Sequence, residues 1–303
     1  MQPRSVLPGQ TLLITRRTTQ RTMLLRPDPP TNETVLYALA LAAKRTGVQV
    51  ILPCVEANHH HTAAYDRHGR APEFTHYFHG LTARAMNSLR GRVENFWASE
   101  QTNVVRLLDL EAIIDKIVYA ATNPVKDGLV ARVRHWPGVN GLRALLKRRT
   151  IIVKRPRHFF RDDGDLPEEI ELELGLPPEL GDPEPILAEI ERRVAAFEAR
   201  MDAERAKTGA RVMGRRAVLR QSWQHRPGTR APRSGLRPTL AGRDRAARRE
   251  ALRQDRAFRA AYFDARVCWQ AGEPAVFPAG TYWLRRFANV DVAPFARGAP
   301  AFA

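Results

Sequence analysis

Two hydrophobic periods alternate along the first half of the chain. Residues 11–16 (TLLITR) are apolar and β-branched, which predicts a strand running into Arg16, Arg17 and Arg21. Pro27, Pro29 and Pro30 break the chain. Thr31 or Asn32 can then cap a helix reaching Arg45, with Val35, Ala38, Leu39, Ala42 and Ala43 on one face and Gly47 in the C′ place. Residues 48–55 form a continuous apolar run suited to a buried strand, and 59–65 read as its hairpin partner across a turn at 56–58. A second helix is predicted over 74–89, short strands over 93–97 and 104–107, and a third helix over 108–122, stopped by Pro124. A further short strand is expected at 151–154.

This order, β-α-β-β-α-β with a helix after it, predicts an α+β fold of ferredoxin- or RRM-like order, an antiparallel sheet with helices on one face. Beyond residue 160 the pattern changes. Residues 184–207 read as a charged helix with an apolar stripe at Ile186, Ile190, Val194, Phe197 and Met201. Residues 224–240, rich in Pro, Gly and Arg, read as a flexible basic linker, and 244–270 as a last helix offering Leu252, Phe258, Tyr262 and Trp269 for packing. The C-terminal extension is thus expected to be largely helical and basic.

Charge sharpens this picture. The 303 residues carry 49 Lys and Arg against 32 Asp and Glu, a formal +17, which favours a polyanionic partner, nucleic acid before an acidic membrane surface. By block the charge is +13 over 1–160, −11 over 161–204 and +14 over 205–259. The acidic block reads as a solvated linker with an exposed helix face, or more sharply as an internal mimic of nucleic acid. Two cysteines exclude a disulfide scaffold or a Cys-rich zinc module. With no apolar run of about 18 residues and no apolar core behind the first residues, no membrane span or signal peptide is expected, and a cytoplasmic, nucleoid-associated location is the default.

Candidate chemistry falls in two places. His59, His60 and His61 are consecutive on the predicted strand, so His59 and His61 share a face and His60 points the other way. Two imidazoles on one rigid face can supply two ligands to a divalent metal; the bland alternative is a polar turn that contains histidines. On the helix at 108–122, Leu110, Ile113, Ile114, Ile117 and Ala121 make the apolar face. Tyr119 and Asn123, four positions apart, project together on the other, a phenol beside an amide that suits a nucleophile next to a metal ligand. A surface tyrosine with Asn123 as a C-terminal cap is the plainer account.

These residues carry a resemblance. Asn58–Thr62 (NHHHT) resembles the Asn-His-hydrophobic-His strand of the HUH single-strand DNA transposases, and the stretch 119–130 (YAATNPVKDGLV) resembles the block after the catalytic tyrosine in their REP-associated branch. Trp136-Pro137-Gly138, Pro8-Gly9-Gln10 and Thr15-Arg16-Arg17 fit the same pattern, so that the likeness spans about residues 5–140. It implies a transposase-like catalytic domain over 1–160, followed by an acidic segment and charged helix (161–223), a basic linker (224–240) and a C-terminal helical region (241–303). It further implies that His59, His61 and Asn123 bind Mg²⁺ or Mn²⁺. Tyr119 would attack a scissile phosphate in single-stranded or hairpin DNA, leaving a 5′-phosphotyrosine and a free 3′-hydroxyl. The enzyme would act as a monomer or a homodimer. The pattern departs at His60, where the family usually has a bulky apolar residue, and at the small Thr62-Ala63-Ala64. A catalytically decayed or domesticated nucleic-acid-binding regulator on the same fold is therefore the alternative, and a metallohydrolase that ignores Tyr119 a further one.

Around these positions, Glu56, Asp66 and Asp115 read as solvated carboxylates, and His76 and His79 as helix-surface residues. Arg16, Arg17 and Arg21 are expected to flank the site and grip DNA, with Arg84, Arg90 and Arg92 continuing that surface. Arg148, Arg149 and Lys154 head a denser patch with Arg143, Lys147, Arg155 and Arg157, near Trp136, Phe159 and Phe160 as stacking surfaces for a single strand.

Overall fold

The computed structural model describes residues 3–228 and 238–295. Its order begins β1 (Gln10–Arg17), α1 (Pro29–Thr46), β2 (Gln49–Glu56), β3 (His59–Asp66), α2 (Ala71–Leu89), β4 (Asn103–Leu107) and α3 (Leu110–Lys126). β1 lies between β3 and β4, antiparallel to both, and β2 pairs antiparallel with the far side of β3. The fold is α+β, and its sheet is mixed rather than purely antiparallel. A two-residue strand β7 (Leu240–Ala241) adds to β4 in parallel, giving the order β2-β3-β1-β4-β7.

Helices cover both faces of this sheet, not one. Strand side chains alternate, so Leu12, Ile14, Val50 and Ala64 meet α1 and α2. Leu13, Leu52, Ala63, Tyr65, Val105 and Leu107 meet α3. On that second face α3 is joined by α4 (Leu142–Leu146) and α5 (Pro183–Thr208), whose Ile186, Leu187, Ile190 and Val194 are buried. The stripe predicted on α5 thus faces the core, although its Phe197 and Met201 are only half-buried. The acidic block is therefore not a solvated linker. Its first part forms β6 (Glu169–Leu172), paired with β5 (Ile151–Lys154), and its second part completes the core under α3.

Local chemistry explains where the helices start and stop. α1 begins at Pro29, earlier than predicted, because the Asp28 side chain accepts the Thr31 N–H at 3.0 Å and the two prolines occupy the first turn, where no donor is needed. Asp66 accepts the N–H groups of Arg70 and Ala71 at 2.7 Å each, opening α2; it is a buried cap, not a solvated carboxylate. α3 runs through Pro124 rather than stopping before it. In a last turn a proline forfeits one hydrogen bond, and Gly128, with φ +68°, ends the helix instead. Residues 93–97 are not a strand: Val93 is 99% exposed and only Trp97 makes a bridge, to Thr18.

The chain continues through α6 (Arg215–Arg220) to α7 (Arg245–Gln270), capped by Asp244 and burying Ala251 and Phe258, while Leu252 and Trp269 stay exposed. α8 (Trp283–Phe287) and the paired strands β8 (Val276–Phe277) and β9 (Asp291–Val292) end the described chain. Of the expected basic linker, residues 229–237 lie outside the described residues. Among the described residues no helix is long and apolar enough to cross a membrane.

Candidate active site

The β2–β3 hairpin turns on Ala57 and Asn58 alone, so Glu56 belongs to the strand and pairs directly with His59. Trp136 fastens this end of the hairpin: it is buried, and its indole N–H donates to the Val55 carbonyl at 3.0 Å. Gly138 permits that packing, because a Cβ there would lie 2.5 Å from the indole nitrogen. Trp136 is therefore a structural residue and not an exposed stacking surface.

On the α3 face, His59 and His61 stand with ring centroids 4.9 Å apart. The Asn58 side-chain oxygen can only accept, so His59 Nδ1, 2.8 Å away, carries the proton and Nε2 keeps its lone pair. His61 Nδ1 is tied to the Thr15 hydroxyl at 2.8 Å, again leaving Nε2 toward the site. Asn123 comes from α3 with its amide nitrogen 3.0 Å from His59 Nε2. Glu56 is buried, with one carboxylate oxygen 3.7 Å from His59 Nε2 and the other without a hydrogen-bond partner. The Tyr119 ring lies 5.3 Å from that of His61, and the ammonium groups of Lys126 and Lys116 lie 5.1 and 5.5 Å from the phenol ring. Lys116, Tyr119, Asn123 and Lys126 form one stripe at helical spacing on α3.

Burial dominates the electrostatics of these groups. Burial pushes the Glu56 carboxyl up to about 8, with the charge of Asp127 adding to it and Lys126 and the Asn123 amide opposing. Burial, reinforced by Arg17, Lys126 and Arg21, lowers His59 to about 4; burial and the neighbouring His59 hold His61 well below its ordinary value. The Tyr119 phenol is raised, by burial first and then by Asp127 and Glu56.

The donor set fits a divalent cation. Two neutral imidazoles with fixed rings, an amide whose oxygen and nitrogen exchange by a flip, and a buried carboxylate oxygen without a partner are compatible ligands. Among the described residues no three His, Cys, Asp or Glu side chains gather closely enough to hold a metal by themselves.

His60 points to the opposite face, as alternation requires, and is buried in a directed chain of hydrogen bonds. Arg16 can only donate, so His79 Nδ1, 3.0 Å from it, accepts. His79 then carries its proton on Nε2 and donates to His60 Nε2 at 2.9 Å, and His60 Nδ1 donates to the Thr62 hydroxyl at 3.0 Å. The Trp97 indole donates to the His79 carbonyl at 2.9 Å, and the Arg16 guanidinium sits 5.5 Å from the Trp97 ring. His79 is therefore not a helix-surface residue, although its H-x-x-H partner His76 is exposed.

The predicted DNA-binding arginines separate accordingly. Arg17 pairs with His59 across the strands, on the active-site face, and forms an exposed ion pair with Glu100 at 2.9 Å. Arg16 faces away, half-buried. Arg21 sits in the turn after β1, in the left-handed region at φ +58°. Arg90 braces the start of α1 through Asp28 at 2.7 Å. Arg148 and Lys154 meet Glu184 and Glu169 of the acidic block at 3.3 and 3.9 Å, while Arg149 is exposed. Arg155 is spent on the carbonyls of Asp162, Gly164 and Leu166, and Phe159 and Phe160 lean half-buried on the core, Phe160 against Tyr37. Asp115 is bound by Arg193 and Arg243 instead of standing beside Tyr119.

Sequence reasoning weighed Glu56 as a group that could tune Tyr119 and preferred a solvated carboxylate; it missed Thr15, Lys116, Lys126 and Asp127 as site residues. The lysines were signalled by their spacing from Tyr119, and Glu56 by a turn one residue shorter than expected.

No protein-family model matches the chain, and no curated protein matches it. Among solved structures it is similar to a REP-associated tyrosine transposase bound to a REP hairpin. The TM-score is 0.39 and the identity 17%, over 55% of this chain and 92% of that one. The likeness is distant.

Proposed function

We propose that the protein is a metal-dependent, single-strand DNA nuclease and strand transferase with Tyr119 as nucleophile. The observation that carries this reading is the juxtaposition of the Tyr119 phenol with the His59, His61, Asn123 and Glu56 set, under two lysines. The motif resemblance supplies the substrate class, single-stranded or hairpin DNA. His59, His61 and Asn123, with Glu56 balancing the charge, would hold Mg²⁺ or Mn²⁺, which would supply positive charge to polarise the phosphate.

The chain's own residues do the rest. Thr15 and Asn58 orient the imidazoles, and Arg17, Lys116 and Lys126 rim the site with positive charge for a phosphate backbone. The phenol, raised in pKa by burial, passes its proton to water as its oxygen bonds to phosphorus, and the departing 3′ oxygen takes one from water. The bond to the 3′ oxygen breaks, leaving a 5′-phosphotyrosine and a free 3′-hydroxyl that can reverse the step. Covalent capture keeps the phosphodiester energy, so rejoining needs no nucleotide.

The test is incubation with hairpin-bearing single-stranded oligonucleotides and Mn²⁺, resolved on denaturing gels. A covalent adduct that disappears in Tyr119→Phe is the expected result. Cleavage that survives Tyr119→Phe would make the protein a metallohydrolase. Binding without cleavage in every metal tried would make it a regulator on the same fold.

A further inference from the structure

A second concentration of positive charge lies on the other face of the sheet, where α7 and the N-terminal segment close over the β1–β4 edge. The register sets Arg106 opposite Leu12, both on the face away from the active-site histidines. Over them a cleft of about 470 Å³, open to solvent, is lined by Arg4, Arg106 and Arg259 together with Leu12, Asp255 and Phe258.

Three guanidiniums share this cleft with one carboxylate. Among the described residues none of the three makes an ion pair. Arg4 donates to the Thr102 carbonyl at 3.0 Å, and the Nε of Arg106 is buried with no hydrogen-bond partner. Burial lowers the pKa of Arg106, which the charge of Asp255 only partly offsets. A half-buried Arg106 whose Nε lacks a partner is costly to a fold, and a guanidinium fork matches phosphate oxygens two at a time. Phe258 and Leu12 supply an apolar wall beside the charge. Arg256, exposed on α7, adds positive charge to the helix that forms one rim.

We propose that this cleft is a phosphate-binding site, built by Arg4, Arg106 and Arg259, that takes a phosphate group of a DNA strand or of a small phosphate. It is separate from the Tyr119 site and does not depend on the reading of that site.

The experiment measures thermal stabilisation of the full chain by inorganic pyrophosphate, and binding of a labelled dT20 oligonucleotide, both at fixed ionic strength. Arg106→Gln and Arg259→Gln are compared with Arg249→Gln, which removes the same charge from outside the cleft. The proposal expects both cleft variants to weaken binding of one or both probes about tenfold more than Arg249→Gln does. Loss for dT20 alone assigns the site to a DNA backbone; loss for pyrophosphate alone assigns it to a free phosphate. Equal behaviour of all three variants toward both probes overturns the proposal. Arg259 lies on a helix surface, so Arg259→Gln tests the cleft even if Arg106→Gln unfolds. Pyrophosphate stabilisation is read without DNA or divalent metal, which keeps a failure here distinct from a failure of the Tyr119 chemistry.

Discussion

Three identical side chains in a row end in two opposite environments. His59 and His61 stand on the α3 face with their Nε2 atoms turned to an opening shared by Tyr119, Asn123 and Glu56. One residue between them, His60 is sealed under α2 by His79, Phe78 and Trp97. The imidazole is the same; what differs is what its second nitrogen meets. On the α3 face His59 Nε2 meets the Asn123 amide beside Tyr119, and on the closed face His60 Nε2 is consumed by a chain that ends at Arg16. Function here is decided by what each nitrogen meets.

The largest effect expected is on the open face. His59→Ala and His61→Ala should each lower adduct formation by at least about a hundredfold, a loss of roughly 3 kcal/mol of transition-state stabilisation. Both rings are largely buried, so each change should also lower the urea midpoint, though less than His60→Ala does, because His60 is the most enclosed of the three at 1% exposed. A large drop in the midpoint with adduct formation kept would reverse the assignment of the two faces.

On the closed face the same kind of change should act on stability. His60→Ala should cost about 2–3 kcal/mol, from a cavity and from the His79 Nε2–H left without an acceptor. His60→Leu refills the space but still orphans His79, so the double variant with His79→Leu should recover about 1 kcal/mol or more of the single-variant loss. If the two changes simply add in urea unfolding, the directed hydrogen-bond chain is not what holds this side together.

Acidity offers a smaller test of the same contrast. Burial, with help from His59 and Arg16, lowers His60 to about 3, and His79 is lowered well below its ordinary value by burial, His60 and Arg16. The unfolded chain then binds protons that the folded chain refuses. Stability is therefore present above about pH 6.5 and lost as pH falls below it, by up to about 1.4 kcal/mol per pH unit for each imidazole. The His60→Leu, His79→Leu pair should flatten that acid limb. Glu56 acts in the opposite sense: with its folded value near 8, its contribution is present below about pH 4.5 and lost as pH rises through 8. In chelator, Glu56→Gln should remove the loss of stability between about pH 4.5 and 8; an unchanged slope there would mean that Glu56 is charged in the folded state.

Much of this contrast was legible in the residues alone, because a strand's period of two fixes that His59 and His61 part company with His60. The helical spacing of Tyr119 and Asn123 was legible for the same kind of reason. What was not legible depended on one-residue boundaries and on distant partners. Placing Glu56 in the turn rather than at the strand end made it a solvated carboxylate, and stopping α3 at Pro124 made Asn123 a cap instead of an inward-facing amide. His79 lies 19 residues from His60, and nothing local to either signals that they meet. The one-face arrangement of helices failed because the apolar stripe read on α5 was assigned to the extension, whereas it packs with α3 on the second face of the sheet.

Arg16 and Arg17 sharpen the contrast with the smallest effects, because they are neighbours on β1 that take opposite faces. Arg17 is 41% exposed in its ion pair with Glu100, so Arg17→Gln should shift stability by no more than about 0.5 kcal/mol. It should weaken single-strand binding a few-fold and reduce the salt slope of log Kd by about 0.7, the value expected when one backbone phosphate is no longer neutralised. Arg16→Gln should leave that salt slope unchanged and instead cost about 1 kcal/mol of stability, because it removes the donor that fixes the His79 tautomer. Fluorescence anisotropy across a salt series, run beside urea unfolding, reads both quantities. A salt slope that falls for Arg16→Gln and not for Arg17→Gln would put the substrate on the wrong side of the sheet.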